Sequence, residues 1–170
     1  MHSQTHKAVV VREMELEDLP AVYALGEAVF TADKWPSLYR TWDEYEPVGL
    51  FNSDGEFCFV AAAANDRVVG FALGSLIDKR KSAWSYGYLT WLAVDPGMKR
   101  SGIATQLMDE ITAAFIRAGA RMMIVDTDAD NDTAISFFRR HEFRNEDRHV
   151  YLSKNLTSHP DYRRLRRHKP

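Results

Sequence analysis

The chain has 170 residues, 45% of them hydrophobic and 27% charged, with a net charge of −2. That size suits one soluble domain, able to bury roughly 70% of its unfolded surface without metal or disulfide. A single cysteine, Cys58, excludes an internal disulfide, and the sequence holds neither a long apolar run nor a signal-peptide pattern, which together fit a reducing cytoplasm and no membrane anchor.

Ala8–Glu13 reads as a strand, and Glu17-Asp18-Leu19-Pro20 opens a helix to about Phe30, with acids at its positive end. A second helix is expected from Pro36 to Tyr45, ending before Pro47 because proline disfavours helix in the residue ahead of it. On that helix Trp35, Tyr39, Trp42 and Tyr45 would form one stripe beside Asp43, Glu44 and Glu46. Such a stripe either packs the helix on a sheet or offers aromatic and acidic groups to a cation. Glu56–Ala63 and Arg67–Ile77 read as strands joined in a hairpin at Asn65-Asp66, and Trp84–Val94 as a third long strand.

The next segment, Val94-Asp95-Pro96-Gly97-Met98-Lys99-Arg100-Ser101-Gly102-Ile103-Ala104, joins that strand to a helix spanning Gly102–Ala118. Apolar residues Ile103, Leu107, Ile111, Ala114, Phe115 and Ala118 recur at helical spacing, and Gly119 suits the C-terminal cap. The turn is built as an anion cradle. First-turn N–H groups have no helical carbonyl to bond, the helix dipole adds positive charge, and Gly102 and Ala104 let a diphosphate approach the backbone beside Lys99 and Arg100. Arg121–Asp128 returns as a strand, which the strand-helix-strand order pairs parallel to Trp84–Val94. A helix at Asp132–His141 and a strand at Arg148–Ser153 complete a mixed α/β sheet. Residues 1–156 form one domain in this reading. The tail, 157–170, is basic: from 159 onward it carries a net +4 against −6 for the rest of the chain. It reads as a poorly ordered terminus, or as a docking segment for nucleic acid, a membrane surface or a partner.

Lys99, Gly102 and Ala104 resemble the Q/R-x-x-G-x-G/A diphosphate loop of the GCN5-related N-acetyltransferases (GNAT), with Lys at the first position and Ala at the last. Trp91-Leu92-Ala93-Val94 and Asn131-Asp132-Thr133-Ala134-Ile135-Ser136-Phe137-Phe138 match that family's flanking motifs in order and spacing. The resemblance implies a mostly antiparallel sheet with a central, splayed parallel strand pair. It implies acetyl coenzyme A as co-substrate, with the cofactor along Leu92, Ala93, Val94, Lys99, Arg100, Ser101, Gly102, Ile103, Ala104, Thr105, Asn131 and Phe138. The motifs are most similar to those of ribosomal-protein N-terminal acetyltransferases.

Acetyl transfer to an amine needs a neutral amine. At pH 7 a lysine-like nitrogen costs about 4 to 5 kcal/mol to deprotonate, an α-amine only about 1 to 1.5 kcal/mol. Asp126 and Asp128 alternate on the expected strand and so share a face, and the resemblance places Asp126 where related enzymes carry a glutamate base. The same carboxylates also suit helix capping or a solvent-facing position. Phe138 stands where many relatives carry a tyrosine that protonates the leaving thiolate, so water, Tyr86 or Tyr88 must replace it. Trp35, Tyr39, Trp42 and Glu44 are the candidate acceptor wall, and no histidine or cysteine spacing suggests a metal. The resulting expectation is direct attack of an amine, either a protein N-terminus or a small molecule, in a ternary complex. The rival readings are a weakly catalytic coenzyme A sensor, and a nucleic-acid or ribosome-associated protein docked by its tail. A homodimer is compatible with either.

Overall fold

The computed structural model describes residues 9–31, 40–78, 84–147 and 149–166. The chain divides into two units, Met1–Asp130 and Asn131–Pro170. In the first, β1 (Val10–Glu13) is followed by a 3-10 turn and α1 (Leu19–Val29), then α2 (Tyr45–Asp54), β2 (Cys58–Ala62), β3 (Val68–Asp78), β4 (Ser85–Val94), α3 (Ile103–Arg117) and β5 (Met122–Ile124). Among the described residues the strands form one sheet in the order β1-β2-β3-β4-β5. Neighbours are antiparallel except β4 and β5, which run parallel at one end of that order.

The two sheet faces are covered differently. On one, Met14, Val22, Trp42, Cys58, Val60, Phe71, Leu73, Trp91 and Ala93 form a closed apolar cluster. Trp42 organises it: the indole stacks on Phe71 with centroids 5.3 Å apart, meets Trp91 edge-on at 5.1 Å, and donates from Nε1 to the Tyr23 carbonyl at 3.1 Å. Only glycine at position 26 allows this approach, because a Cβ there would lie 2.0 Å from the Trp42 ring. On the other face α3 buries Ile103, Leu107, Met108, Ile111 and Phe115, the periodic stripe its sequence announces.

Several sequence expectations change. Residues 40–43 are not helical, and the helix expected at 36–45 is instead α2, which starts at Tyr45; positions 36–39 lie outside the described residues. Asp43 sets this start by accepting from the N–H groups of Tyr45 and Glu46. Pro47 then sits in the first turn, where its missing N–H costs nothing. With no helix at 40–43, Trp42 and Tyr45 do not share a stripe; Trp42 is 6% exposed and Tyr45 74%. The strand expected at 121–128 shrinks to Met122–Ile124. The hairpin expected at Asn65-Asp66 is present: β2 and β3 pair antiparallel across it, and both turn residues have positive φ, 67° and 60°.

In the second unit α4 (Asp132–Arg140) is capped by the Asn131 side chain, which accepts from the Ala134 N–H at 3.2 Å. Glu142 follows the helix with φ of 68°, the left-handed conformation that glycine adopts most easily and that glycine commonly supplies after a helix. The strand expected at 148–153 is absent over its described residues, 149–153, where Val150 and Leu152 are exposed rather than packed on a partner strand. A short helix, α5 (Pro160–Arg166), lies in the basic tail.

The chain entry to α1 depends on one ion pair. Arg12 donates from Nη1 to Asp18 Oδ2 at 2.6 Å and from Nη2 to Oδ1 at 3.0 Å, while Oδ2 also accepts from the Glu15 N–H at 2.8 Å. Burial alone would raise the Asp18 carboxyl, but these donors outweigh it and hold it below its ordinary value. A carboxyl lowered on folding adds stability above its unfolded pKa of about 3.9, and this is lost as pH falls through the lower folded value. Asp18→Asn should therefore cost about 1 to 3 kcal/mol at pH 7. Urea titrations at several pH values should show the gap to wild type closing below about pH 4.

Candidate active site

The segment after β4 forms the turn in detail. Asp95 accepts from the Gly97 N–H at 2.8 Å and holds a 3-10 turn at Pro96–Met98, while Arg67 pairs with its second oxygen at 3.0 Å. The Gly97 N–H and, against the cost of burial, Arg67 hold the Asp95 carboxyl below its usual value, so it stays charged and keeps the turn fixed. Ser101 Oγ donates to the Met98 carbonyl, closing the loop that carries Lys99 and Arg100 outward. Gly102 sits at the N-cap of α3 with φ of 79°, and a Cβ placed on it would meet no atom within 4 Å. Open space therefore faces a left-handed glycine at a fifteen-residue helix's positive end. Ile103 is 1% exposed, so its side chain belongs to the core and only its N–H can face the cradle. Ala104 is half-buried and Thr105 exposed on the same turn.

The strand leading there is irregular at one residue. In the β3–β4 ladder Leu73 pairs with Trp91 and Gly74 with Leu89, leaving Thr90 as an extra residue on β4. This bulge changes which side chains share a face. Gly87 lies against Phe115 of α3, whereas Trp91, four residues on, belongs to the cluster on the opposite face. Tyr88 and Trp91 consequently stand side by side, with the Arg40 guanidinium carbon 5.5 Å from one ring centroid and 5.1 Å from the other.

Parallel pairing of β4 with β5 ends at Tyr88–Ile124, while β4 runs on through Leu92, Ala93 and Val94. Two residues past Ile124, the Asp126 Oδ1 accepts from the Tyr88 hydroxyl at 2.6 Å and from Arg40 Nη2 at 2.8 Å. Arg40 also donates to the Tyr88 oxygen and, from Nη1, to the Thr90 carbonyl. Two of the expected catalytic residues, Tyr88 and Asp126, thus meet. Asp128 is half-buried on the same segment, but residues 125–128 are not a strand, so the alternation argument for a shared face does not apply.

Of the expected acceptor wall, only Trp42 and Glu44 are among the described residues. Trp42 is committed to the core, Glu44 is an exposed residue of the turn before α2, and Trp35 and Tyr39 lie outside the described residues. Asn131 caps α4, and Phe138 packs edge-on to Phe137 and Phe143 with centroids 5.5 Å apart. Arg40 was invisible to sequence reasoning. The only hint is a lone cation set among Tyr39, Trp42 and Tyr45.

The sequence profile of the Acetyltransferase (GNAT) family matches residues 21–143, which include β4, the cradle and the Tyr88–Asp126 contact. The chain belongs to this family. It is 28% identical over 138 residues to "Acetyltransferase SG1711" of Sodalis glossinidius, covering 80% of this chain and 92% of that one. It is 33% identical over 85 residues to N-alpha-acetyltransferase 30 of Schizosaccharomyces pombe, spanning 50% of this chain and about half, 55%, of the relative. The fold is similar to that of an aminoglycoside acetyltransferase, meta-AAC0020, from an uncultured soil metagenomic sample: TM-score 0.67, 24% identity, 87% of this chain and 96% of the other. It is also similar to a chain of the NatC complex bound to Gag peptide and CoA, with TM-score 0.67, 17% identity, and coverage of 78% and 82%. The family match and the relatives named acetyltransferase make this chain an acetyltransferase. Among the described residues, no group of three or more His, Cys, Asp or Glu could hold a metal, and no helix is long and apolar enough to cross a membrane.

As a diphosphate cradle, the turn should tolerate little at Gly102. Valine there would put its branched side chain into the open space and add about 1 to 2 kcal/mol of left-handed strain. Calorimetry with coenzyme A should show at least a tenfold weaker affinity for Gly102→Val. Lys99→Ala should cost less, about 1 to 2 kcal/mol, because backbone donors remain.

Proposed function

We propose that this GNAT protein transfers the acetyl group of acetyl coenzyme A to a primary amine, by direct attack in a ternary complex. The observation that carries the reading is the alignment of three features on β4. The cradle follows its C-terminal end, the stretch Leu92–Val94, paired with β3 but not with β5, lies before it, and Tyr88 and Asp126 stand where the parallel pairing stops. Acetyl coenzyme A supplies the activated thioester. Lys99, Arg100, Ser101, Gly102 and the N–H groups of Ile103, Ala104 and Thr105 would hold its diphosphate, and the backbone of Leu92, Ala93 and Val94 suits its amide arm, as an added strand would.

The Tyr88 hydroxyl donates to Asp126, so its lone pairs are left to accept a proton from a donor on the other side, a place now taken by Arg40. An acceptor amine there hands its proton to the Tyr88 oxygen as Tyr88 passes its own to Asp126. Phe138 has no hydroxyl, which makes Tyr88 the phenol able to return a proton after transfer. Asp126 is the terminal proton acceptor and Tyr88 the relay; Asp128 is held in reserve as a second carboxylate on the segment.

Between the two acceptor classes, a protein N-terminus is favoured. An α-amine needs only about 1 to 1.5 kcal/mol of help at pH 7, within reach of a carboxylate acting through a phenol, whereas a lysine-like amine needs about 4 to 5 kcal/mol. The similarity to N-alpha-acetyltransferase 30 supports the same choice. The compartment that suits both a lone thiol and such a substrate is the cytoplasm.

Mass spectrometry of peptides and small amines incubated with acetyl coenzyme A tests the reading directly. Acetylated peptide N-termini are expected, and coenzyme A binding without acetylation of any amine would establish the sensor reading instead. Tyr88→Phe and Asp126→Asn should each lower kcat/KM by about 10² near pH 7. The double variant should lose little more than either alone, because the two groups act as one relay. The Asp126→Asn deficit should shrink as pH rises toward the acceptor's pKa.

A further inference from the structure

Every side of the Arg40 guanidinium that the structure describes meets a group suited to a cation. Nη1 donates to the Thr90 carbonyl, Nη2 to the Tyr88 hydroxyl and to Asp126 Oδ1, and the Tyr88 and Trp91 ring faces lie 5.5 and 5.1 Å from its central carbon. A carbonyl, a phenol oxygen, a carboxylate and two aromatic faces form a cation box. The bulge at Thr90 builds it, since a regular ladder would send Tyr88 and Trp91 to opposite faces. Nothing in this set would welcome an anion.

We propose that this box is the subsite for the acceptor's ammonium group, and that Arg40 is a resident stand-in which the acceptor must displace. The assignment of the box to the acceptor rests on the acetyltransferase reading; the stand-in role of Arg40 does not. Three observations favour exchange over a permanent strut. The pair is only partly buried, with side-chain exposures of 20% for Arg40 and 27% for Asp126, so water reaches it and weakens it. Arg40 comes from a non-helical segment, not from the sheet or a helix. Its partners Tyr88 and Asp126 are also the groups an amine needs for proton transfer, and an arginine, which does not give up its proton, holds them without reacting. An acceptor then binds with an apparent affinity reduced by the fraction of molecules whose box is open.

The test uses the full-length chain and two variants, Arg40→Ala and Arg40→Met, the second keeping apolar bulk without charge. Calorimetry with methylguanidinium and with n-butylammonium should detect binding to both variants and at least tenfold weaker binding to wild type. Adding Asp126→Asn to Arg40→Ala should abolish that binding, and methylguanidinium should raise the Tm of Arg40→Ala but not of wild type. If peptide acetylation is observed, both Arg40 variants should lower the acceptor KM at least threefold and leave the KM for acetyl coenzyme A unchanged. Probe uptake equal in wild type and variants, none in either variant, or a raised acceptor KM would overturn the proposal. So would unfolding of both variants without rescue by methylguanidinium, which would make Arg40 a strut. Cation binding to the variants with no acetylation of any amine would keep the stand-in and overturn the acetyltransferase reading alone.

Discussion

Parallel pairing between β4 and β5 lasts for three residues on each strand, and Tyr88, Asp126 and Arg40 gather where it stops. Backbone N–H and C=O groups released from a ladder must find other partners. Past Tyr88 one edge of β4 therefore offers a row of polar groups, one of which, the Thr90 carbonyl, engages Arg40. The shortness of β5 is what frees Asp126: two more ladder pairs would hold its backbone beside Thr90. Had the strand continued to Asp128, as its sequence allows, the carboxylate would be aimed by the pleat and not by the Tyr88 hydroxyl.

Two arginine–aspartate pairs in the same unit illustrate how burial and geometry separate a structural bond from an exchangeable one. Arg12 grips both oxygens of Asp18, whose side chain is 7% exposed and which also accepts a backbone N–H. Removing Arg12 would leave the buried Asp18 carboxylate without its cation, whereas Arg12 without Asp18 still has Asp66 at 3.0 Å. The Arg40–Asp126 contact engages a single carboxylate oxygen and faces solvent on one side. A hydrated cation of similar size can replace it with little change in the surrounding dielectric. The first pair fixes the chain entering α1; the second holds Arg40, Tyr88 and Asp126 together while leaving one side of them open to solvent.

Much of the fold could be read from the sequence because periodicity and turn chemistry agree with packing. The α3 stripe Ile103, Leu107, Ile111 and Phe115 and the long β3 and β4 strands are legible as patterns, and the cradle as a motif. The start of α2 was not, because Asp43 and a tolerated first-turn Pro47 overrode the boundary that proline suggests. Tyr88 and Asp126 were legible as chemistry but not as a pair, since their contact spans 38 positions of sequence. Arg40 was illegible altogether: its neighbours in the chain do not reveal that it meets Thr90, 50 positions away. The bulge left no compositional trace either, as Thr90 is an ordinary strand residue.

The bulge also sets what kinds of heritable change β4 can absorb. Thr90 contributes a carbonyl to the box, and any residue has one, so many side chains are acceptable at that position in a lineage. Its presence as a counted residue is another matter. Deleting it in frame would make Leu89 and Trp91 consecutive, still opposite Gly74 and Leu73, so Trp91 and Ala93 would keep their cluster and the backbone leading into the cradle would keep its pairing. What would go is the carbonyl that Arg40 engages. Substitution at Thr90 is thus silent for the box, while loss of the residue is felt at Arg40 and not in the core.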